Sequence, residues 1–482
     1  MMRFLAFALA ACLATGIVAQ AQTWTKLTNQ PTFQTDTALL LTDGTVMVHQ
    51  YNSPAWWRLT PDNTGSYLNG TWSALASMPS TYAPLYFASA VLPDGKVLVE
   101  GGEYNFLNPI ETNLGAIYDP VANAWTSVTA PSGWSTIGDS PAVVLANGIF
   151  FMGRNTTTQS VVFNESTMTW TTAGTGKQDV YSEAGFAQLP DRTVLTLDTA
   201  KAPNAEKYFG GQQKWTGAGN TGVKLADPGS LEIGPILLRP DGTAFAMGAS
   251  ASGAGHTSTY TPPSNPRDPG TWNQGPDFPG GNDMADAPAA LLPDGNVLCE
   301  TSPGIFNNPV TFYEYDGTQF TQAPSTSSAK RTTSYEGRML VLPSGQVLHV
   351  VADGSTIDAE IYTPNGSANP AWAPVITSVP GTLTRGTTVT VKGTQFNGLS
   401  AGAAYGDDVQ MDTNYPIVRI TNNATGHVFY AKTHDHSTMA VATGTQVVGT
   451  HVDIPSGAET GASTIEVVAN GIASTGIGVT VQ

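Results

Sequence analysis

Asp139, Glu183, Asp286 and Glu336 occupy one position of a recurring pattern, each lying nine residues before a tight-turn residue (Gly148, Arg192, Gly295 and Gly345). Asp36 and Glu232 stand one residue off that register, ahead of Gly44 and Gly242. Carboxylates gathered by a repeat raise one another's pKa or call for a cation, because like charges at close range disfavour ionisation. Three chemistries answer that demand: a hard ion such as Ca2+ or Mg2+ held by oxygen ligands, a small cationic ligand, or two acids sharing a proton. Such a pair could also serve as general acid and base on a glycosidic bond. The plainer reading is that strand starts are loop-like, so that Asp and Glu there are simply solvated; the shared register favours function. In TTSYEGRMLVLPSG, Tyr335 sets a phenol directly beside Glu336 at the head of an apolar strand.

The elements that must position these residues are hairpins. An apolar strand, a PDG-type turn and a second apolar strand recur in ALLLTDGTVMV, SAVLPDGKVLV, AVVLANGIFFM, GFAQLPDRTVLTL, PILLRPDGTAFAM, AALLPDGNVLC and MLVLPSGQVLHV. Asp-Gly and Asn-Gly supply the positive φ that tight hairpin turns need. A second marker interleaves with the first: Trp24, Trp72, Trp125, Trp170, Trp215, Trp272 and Phe320 each open a strand. A third strand precedes the aromatic one, as at Tyr118, Phe163 and Tyr362. Four short strands per unit of about 50 residues is the length of a kelch-type propeller blade. A β-solenoid would need shorter rungs and has no use for the Trp-terminated unit. Either the Trp24 or the Trp372 segment could close the ring. Beyond Trp372 the pattern stops, and alternating stretches such as TVTVKG without helical periodicity predict an immunoglobulin-like sandwich. The expected chain is all-β: a signal peptide at 1–21, a seven-bladed propeller at 22–372 and a sandwich at 373–482.

Composition narrows the class further. Arg3, the apolar run that follows and Ala19-Gln20-Ala21 form a cleavable secretory signal; a lipoprotein signal around Cys12 is the alternative. No later segment has the roughly 20 apolar residues of a membrane helix, so a secreted or periplasmic protein without membrane insertion is expected. With Cys12 removed, Cys299 has no partner in the chain. That excludes a disulfide framework and makes Cys299 a small core residue. A formal charge of −17 argues against nucleic acid and anionic membranes as partners.

A kelch propeller followed by a sandwich resembles galactose oxidase and the glyoxal oxidases, the copper radical oxidases. The resemblance implies copper ligands at the start of the innermost strands and one more on a sandwich hairpin that enters the ring. Tyr86 falls where the family has its cysteine-linked tyrosine, Tyr335 where it has the axial tyrosine, and Tyr104, after Gly101-Gly102, where galactose oxidase has a stacking tryptophan. Thr35, however, replaces the cross-linked cysteine, Glu336 replaces a histidine, and Gln410 in YGDDVQMDTNYP replaces another. Tetragonal copper(II) favours imidazole nitrogen, so the substitutions disfavour copper and an oxidase mechanism.

The resulting expectation is an exported, non-oxidase member of this architecture that binds extracellular carbohydrate or a cation-assisted ligand at an acidic pore rim. The binding residues are Asp36, Tyr104, Asp139, Glu183, Glu232, Asp286 and Gln410, with Tyr86, Tyr335 and Glu336 as the candidate catalytic groups. Asp139, Glu183, Asp286 and Glu336 are the candidate ligands of Ca2+ or another hard cation. Asp407, Asp408 and Asp412 would add to the same field if the hairpin inserts. The tyrosines could stack sugars, though tyrosines in a propeller more often pack. The alternatives are an enzyme at the same rim, either a copper oxidase with unusual ligands or a glycan-cleaving one, and an adhesin or scaffold. Apart from the rim, THDHSTMAV carries His434 and His436, with His427 and His451 in neighbouring expected strands. A transition-metal site is the sharp reading there, and hydrogen-bonded surface histidines are the preferred one.

Overall fold

The computed structural model describes residues 22–400 and 414–482 and, between them, the backbone of the strands Ala403–Tyr405 and Asp408–Gln410. Among these residues, seven antiparallel sheets repeat the same up-and-down order, with innermost strands starting at Thr35, Ala88, Ala142, Gly185, Ile233, Ala289 and Gly337. The chain is an all-β propeller followed by a β-sandwich. Each turn glycine has a left-handed φ, from 74° at Gly44 to 90° at Gly295, and blade four places Arg192 there at 69°. The turn aspartates Asp43, Asp94, Asp191, Asp241 and Asp294 accept a hydrogen bond from the backbone N–H two residues on, which locks the turn that the sequence encodes.

The tryptophans fasten blade to blade. The indole N–H of Trp72 donates to the Asn29 carbonyl, Trp125 to Ala76, Trp170 to Thr129, Trp272 to Ala218 and Trp24 to Pro324. Each acceptor lies on or just after the outermost strand of the preceding blade. Trp215 departs from the rule: it is buried, with the Lys177 ammonium 5.5 Å from its ring centre. The ring closes through its N-terminal segment, since Thr23–Lys26 pairs with Ala359–Thr363 as the outermost strand of blade seven. Trp372 instead sits in a short 3-10 turn, Pro370–Trp372.

In the sandwich, nine strands among the described residues fold over a core that includes Leu383, Val391, Val418, Ile465 and Val479. It is fastened to the turn end of the propeller. The Tyr415 hydroxyl donates to the Leu40 carbonyl, and the N–H groups of Thr433, Met439 and Val441 donate to Thr42, Ala146 and Gln188 at 3.0–3.1 Å. From there the hairpin of Ala403–Tyr405 and Asp408–Gln410 runs up into the ring. Its first strand pairs antiparallel with the innermost strand of blade four (Gly185 with Tyr405, Phe186 with Ala404), and its second lies beside those of blades one, two and seven. Cys299 is fully buried, with its Sγ 3.6 Å from the Met247 sulfur. No helix among the described residues is long and apolar enough to cross a membrane. Residues 1–21, and with them the expected signal, lie outside the described residues.

Candidate functional site

At the end of the ring opposite the sandwich, where the innermost strands begin, a cavity of about 280 Å³ opens. Its acidic wall is Glu103, Asp139, Glu183, Glu232 and Asp286, and its aromatic wall is Tyr86, Tyr104, Phe306 and Tyr335. Three wall residues share a backbone peculiarity. Tyr86, Glu183 and Asp286, at the same register of blades two, four and six, have φ of 54°, 56° and 49°. A left-handed conformation costs a non-glycine residue about 1 kcal/mol or more, so the alternate blades hold these side chains at the cavity against local preference.

Glu183, Glu232 and Asp286 form the tightest group, with one oxygen from each lying within 4.8 Å of the others. Glu232 reaches it through a β-bulge. Between Ile233 and Ile236 the innermost strand of blade five carries one residue more than its partner strand. The extra residue brings position 232 level with position 183 of blade four, despite the one-residue difference in counting.

Among the described residues no lysine, arginine or histidine lines the cavity. Burial, then Asp286 and Glu183, push Glu232 up to about 11. Burial and the neighbours Glu183, Glu111 and Glu103 raise Asp139 well above the carboxylate range, and burial followed by Glu111 and Glu183 raises Glu103. Asp139 accepts from the Asn155 amide, which also donates to Glu111 at 3.3 Å. Burial, with Glu336 next, lifts the Tyr335 phenol to about 12, and burial raises Tyr86 and Tyr104 as well. The rings of Tyr86 and Tyr104 are 5.9 Å apart at 65°, and Tyr335 meets Phe306 at 4.7 Å.

Two expected rim acids lie elsewhere. Asp36 is buried beneath the rim, 2.9 Å from His49 Nδ1 and 3.4 Å from Arg338 Nη2. Burial works to raise its pKa, but the His49 hydrogen bond and the Arg338 charge hold the carboxyl below its usual range. Blade one has its own bulge, between Thr35 and Ala38, and Asp36 falls inside it, so the device that brings Glu232 into line takes Asp36 out. Glu336 does not line the cavity either. It ends the 3-10 turn Ser334–Glu336, and its carboxylate accepts the Thr333 N–H at 2.9 Å in a capping box. The three-carboxylate group therefore contains Glu232 in place of Glu336, while Asp139 lines the cavity outside that group. The side chains of Gln410, Asp407, Asp408 and Asp412 lie outside the described residues.

Glu103, Glu111 and Phe306 were not among the residues expected from sequence. Glu103 and Glu111 come from the connection after the second strand of blade two, Phe306 from the same connection in blade six. A signal existed: YNFLNP and GIFNNP occupy equivalent places, and Phe106 and Phe306 share a left-handed φ of 52° and 57°.

The copper set that the resemblance implied does not fit these residues. Thr35 is buried and donates to the Val351 carbonyl at 2.8 Å, Glu336 is taken up by its cap, and no imidazole faces the cavity among the described residues. No protein-family profile matches the chain, and no curated protein matches it by sequence. Solved structures do. A fungal alcohol oxidase of the AA5 family, in complex with copper, superposes with a TM-score of 0.55 at 13% identity, over 95% of this chain and 98% of that one. A virginiamycin B lyase from Staphylococcus aureus gives 0.48 at 10% identity over 71% of this chain and 99% of its own. The structure of YjhT gives 0.41 at 15% over 62% and 99%. At such identities the likeness is one of fold, and the chain has a galactose oxidase-like β-propeller fold.

Proposed function

We propose that this is an exported, non-oxidase protein that binds extracellular carbohydrate through a hard divalent cation, Ca2+ foremost, in the cavity at the mouth of its propeller. The observation that carries the reading is the convergence of Glu183, Glu232 and Asp286, one oxygen each within 4.8 Å, in a cavity whose other wall is aromatic. Calcium takes 6–8 oxygen ligands at about 2.3–2.6 Å. Three carboxylates supply part of that shell and leave positions that sugar hydroxyls can complete. Ring faces of Tyr86, Tyr104, Phe306 and Tyr335 offer apolar surface to the sugar's C–H face. At about 280 Å³ the cavity lies near the lower end of small-molecule sites and suits one sugar unit. Calorimetric titration of chelator-treated protein with Ca2+, followed by glycan binding with and without the ion, tests this. Saturable calcium binding that is required for glycan retention is expected. Stoichiometric copper with substrate-dependent peroxide release would overturn the reading, and absence of both metal and glycan binding would favour a scaffold.

One observation favours a second reading, glycan cleavage at the same place. Glu232 holds its proton to about 11 while Asp286 and Glu183 lie alongside, and a protonated acid beside carboxylates is the arrangement that general acid–base hydrolysis uses. New reducing ends formed from a bound glycan, and lost in Glu183→Gln, would identify that activity.

A further inference from the structure

We propose that His434, Asp435 and His451 form a binding site for one divalent transition-metal ion of the zinc type on the surface of the sandwich. The site is independent of the propeller cavity and of the function proposed for it. His434 ends the strand Val428–His434, and the register sets it directly opposite His451 of the strand Val448–Asp453. The two imidazoles therefore stand side by side, with ring centres 5.4 Å apart. The chain then turns through Asp435, whose φ of 49° is left-handed, and its carboxylate comes back between them. Asp435 Oδ2 is 2.8 Å from His434 Nδ1 and 3.4 Å from His451 Nδ1. One ligand atom from each of the three lies within 4.8 Å of the others. A tetrahedral ion with bonds of about 2.0–2.1 Å holds its ligand atoms roughly 3.3 Å apart, so small side-chain rotations would close the set around zinc.

A second shell is also in place. His434 Nε2 lies 3.2 Å from Asp453 Oδ1, and that oxygen accepts from the Thr388 hydroxyl at 2.6 Å. Metal-binding histidines characteristically donate their other ring N–H to an anchored carboxylate, which leaves the facing nitrogen free to ligate. His436, expected on the same strand face as His434, lies past the strand end. Its ring stacks on Tyr415 and its Nδ1 meets the Thr450 hydroxyl at 2.9 Å, so it packs rather than joins the set. His427 is paired with Glu459 at 2.7 Å, apart from the cluster. Two nitrogens and one oxygen select zinc, copper or nickel over calcium or magnesium, the opposite preference to that of the all-oxygen group in the cavity. The Asp435 side chain is 59% and that of His451 46% exposed, which leaves a fourth position open to water or to a donor from another molecule.

The full chain, stripped with chelator and titrated calorimetrically with Zn2+, tests the site. Saturable zinc binding is expected, weakened about tenfold or more in His451→Ala and about tenfold in Asp453→Asn. Glu232→Gln should leave it unchanged. Co2+ should give the intense visible bands of four-coordinate cobalt in the wild type and not in His451→Gln, a milder substitution that serves if the alanine variant unfolds. A zinc isotherm unchanged in both His451 variants, one abolished by Glu232→Gln instead, or no saturable binding below millimolar zinc would overturn the proposal.

Discussion

At Glu232, burial and the carboxylates of Asp286 and Glu183 push the pKa to about 11, so the group is protonated at neutral pH until a cation displaces the proton. If calcium binding releases that proton, affinity should climb toward a limit of about tenfold per pH unit. Calorimetry between pH 6 and 9, in buffers of differing ionisation enthalpy, measures both the affinity and the proton released. Glu232→Gln should lose about tenfold or more in affinity and most of the pH dependence. The sign for stability is the reverse. A carboxyl whose folded pKa is raised contributes stability that is complete below its unfolded value, 4.5, and is lost as pH rises toward 11. Cation-free protein should thus melt at a lower temperature at pH 8 than at pH 5, by a smaller margin in Glu232→Gln. Asp36 predicts the contrary pattern. It is 1% exposed and bound to His49 and Arg338, so Asp36→Asn should destabilise by about 3 kcal/mol in urea denaturation, because it removes the carboxylate from a buried ion pair. The effect on calcium affinity of the folded fraction should be small.

Among the elements, the Trp-opened outer strands explain why the repeat is so regular. Each of five indoles donates to the blade behind it, which fixes the angle between blades as well as burying a ring. Trp125→Phe keeps the ring's packing and removes the donor. It should cost about 1 kcal/mol, read by urea denaturation. Blade six already has Phe320 at this position and makes its contacts by aromatic packing on Phe245, Phe278 and Tyr315.

The whole molecule rests on two long-range closures. Thr23–Lys26 completes blade seven from the opposite end of the propeller sequence, and the sandwich sends its hairpin back to pair with blade four. Removing residues 22–27 would expose the edge of Ala359–Thr363 and open the ring. Such a chain should lose cooperative unfolding and aggregate, because an unpaired edge strand is a template for further pairing; circular dichroism melting and light scattering would detect it. Intact cooperative unfolding of the truncated chain would show that closure is not made by this strand.

Much of the fold could be read from local patterns. The hairpin turns and the aromatic strand openers repeat every 50 residues or so, and both act over a few residues, which is why the all-β propeller and sandwich were legible in the sequence by itself. Tyr86, Asp139, Glu183 and Asp286 were legible as candidates for the same reason, since they keep a fixed distance from a turn; Tyr104 followed the Gly101-Gly102 pair, and Glu232 stood one residue off the register. Counting along the chain cannot see a bulge, a buried ion pair or a capping bond. Those three brought Glu232 in and took Asp36 and Glu336 out. Phe306 and Glu103 reach the cavity from connections outside the turn register. Cross-strand pairing likewise made neighbours of His434 and His451. The sequence determined which residues recur; only tertiary structure decided which converge, because convergence depends on register and long-range pairing that no local pattern encodes.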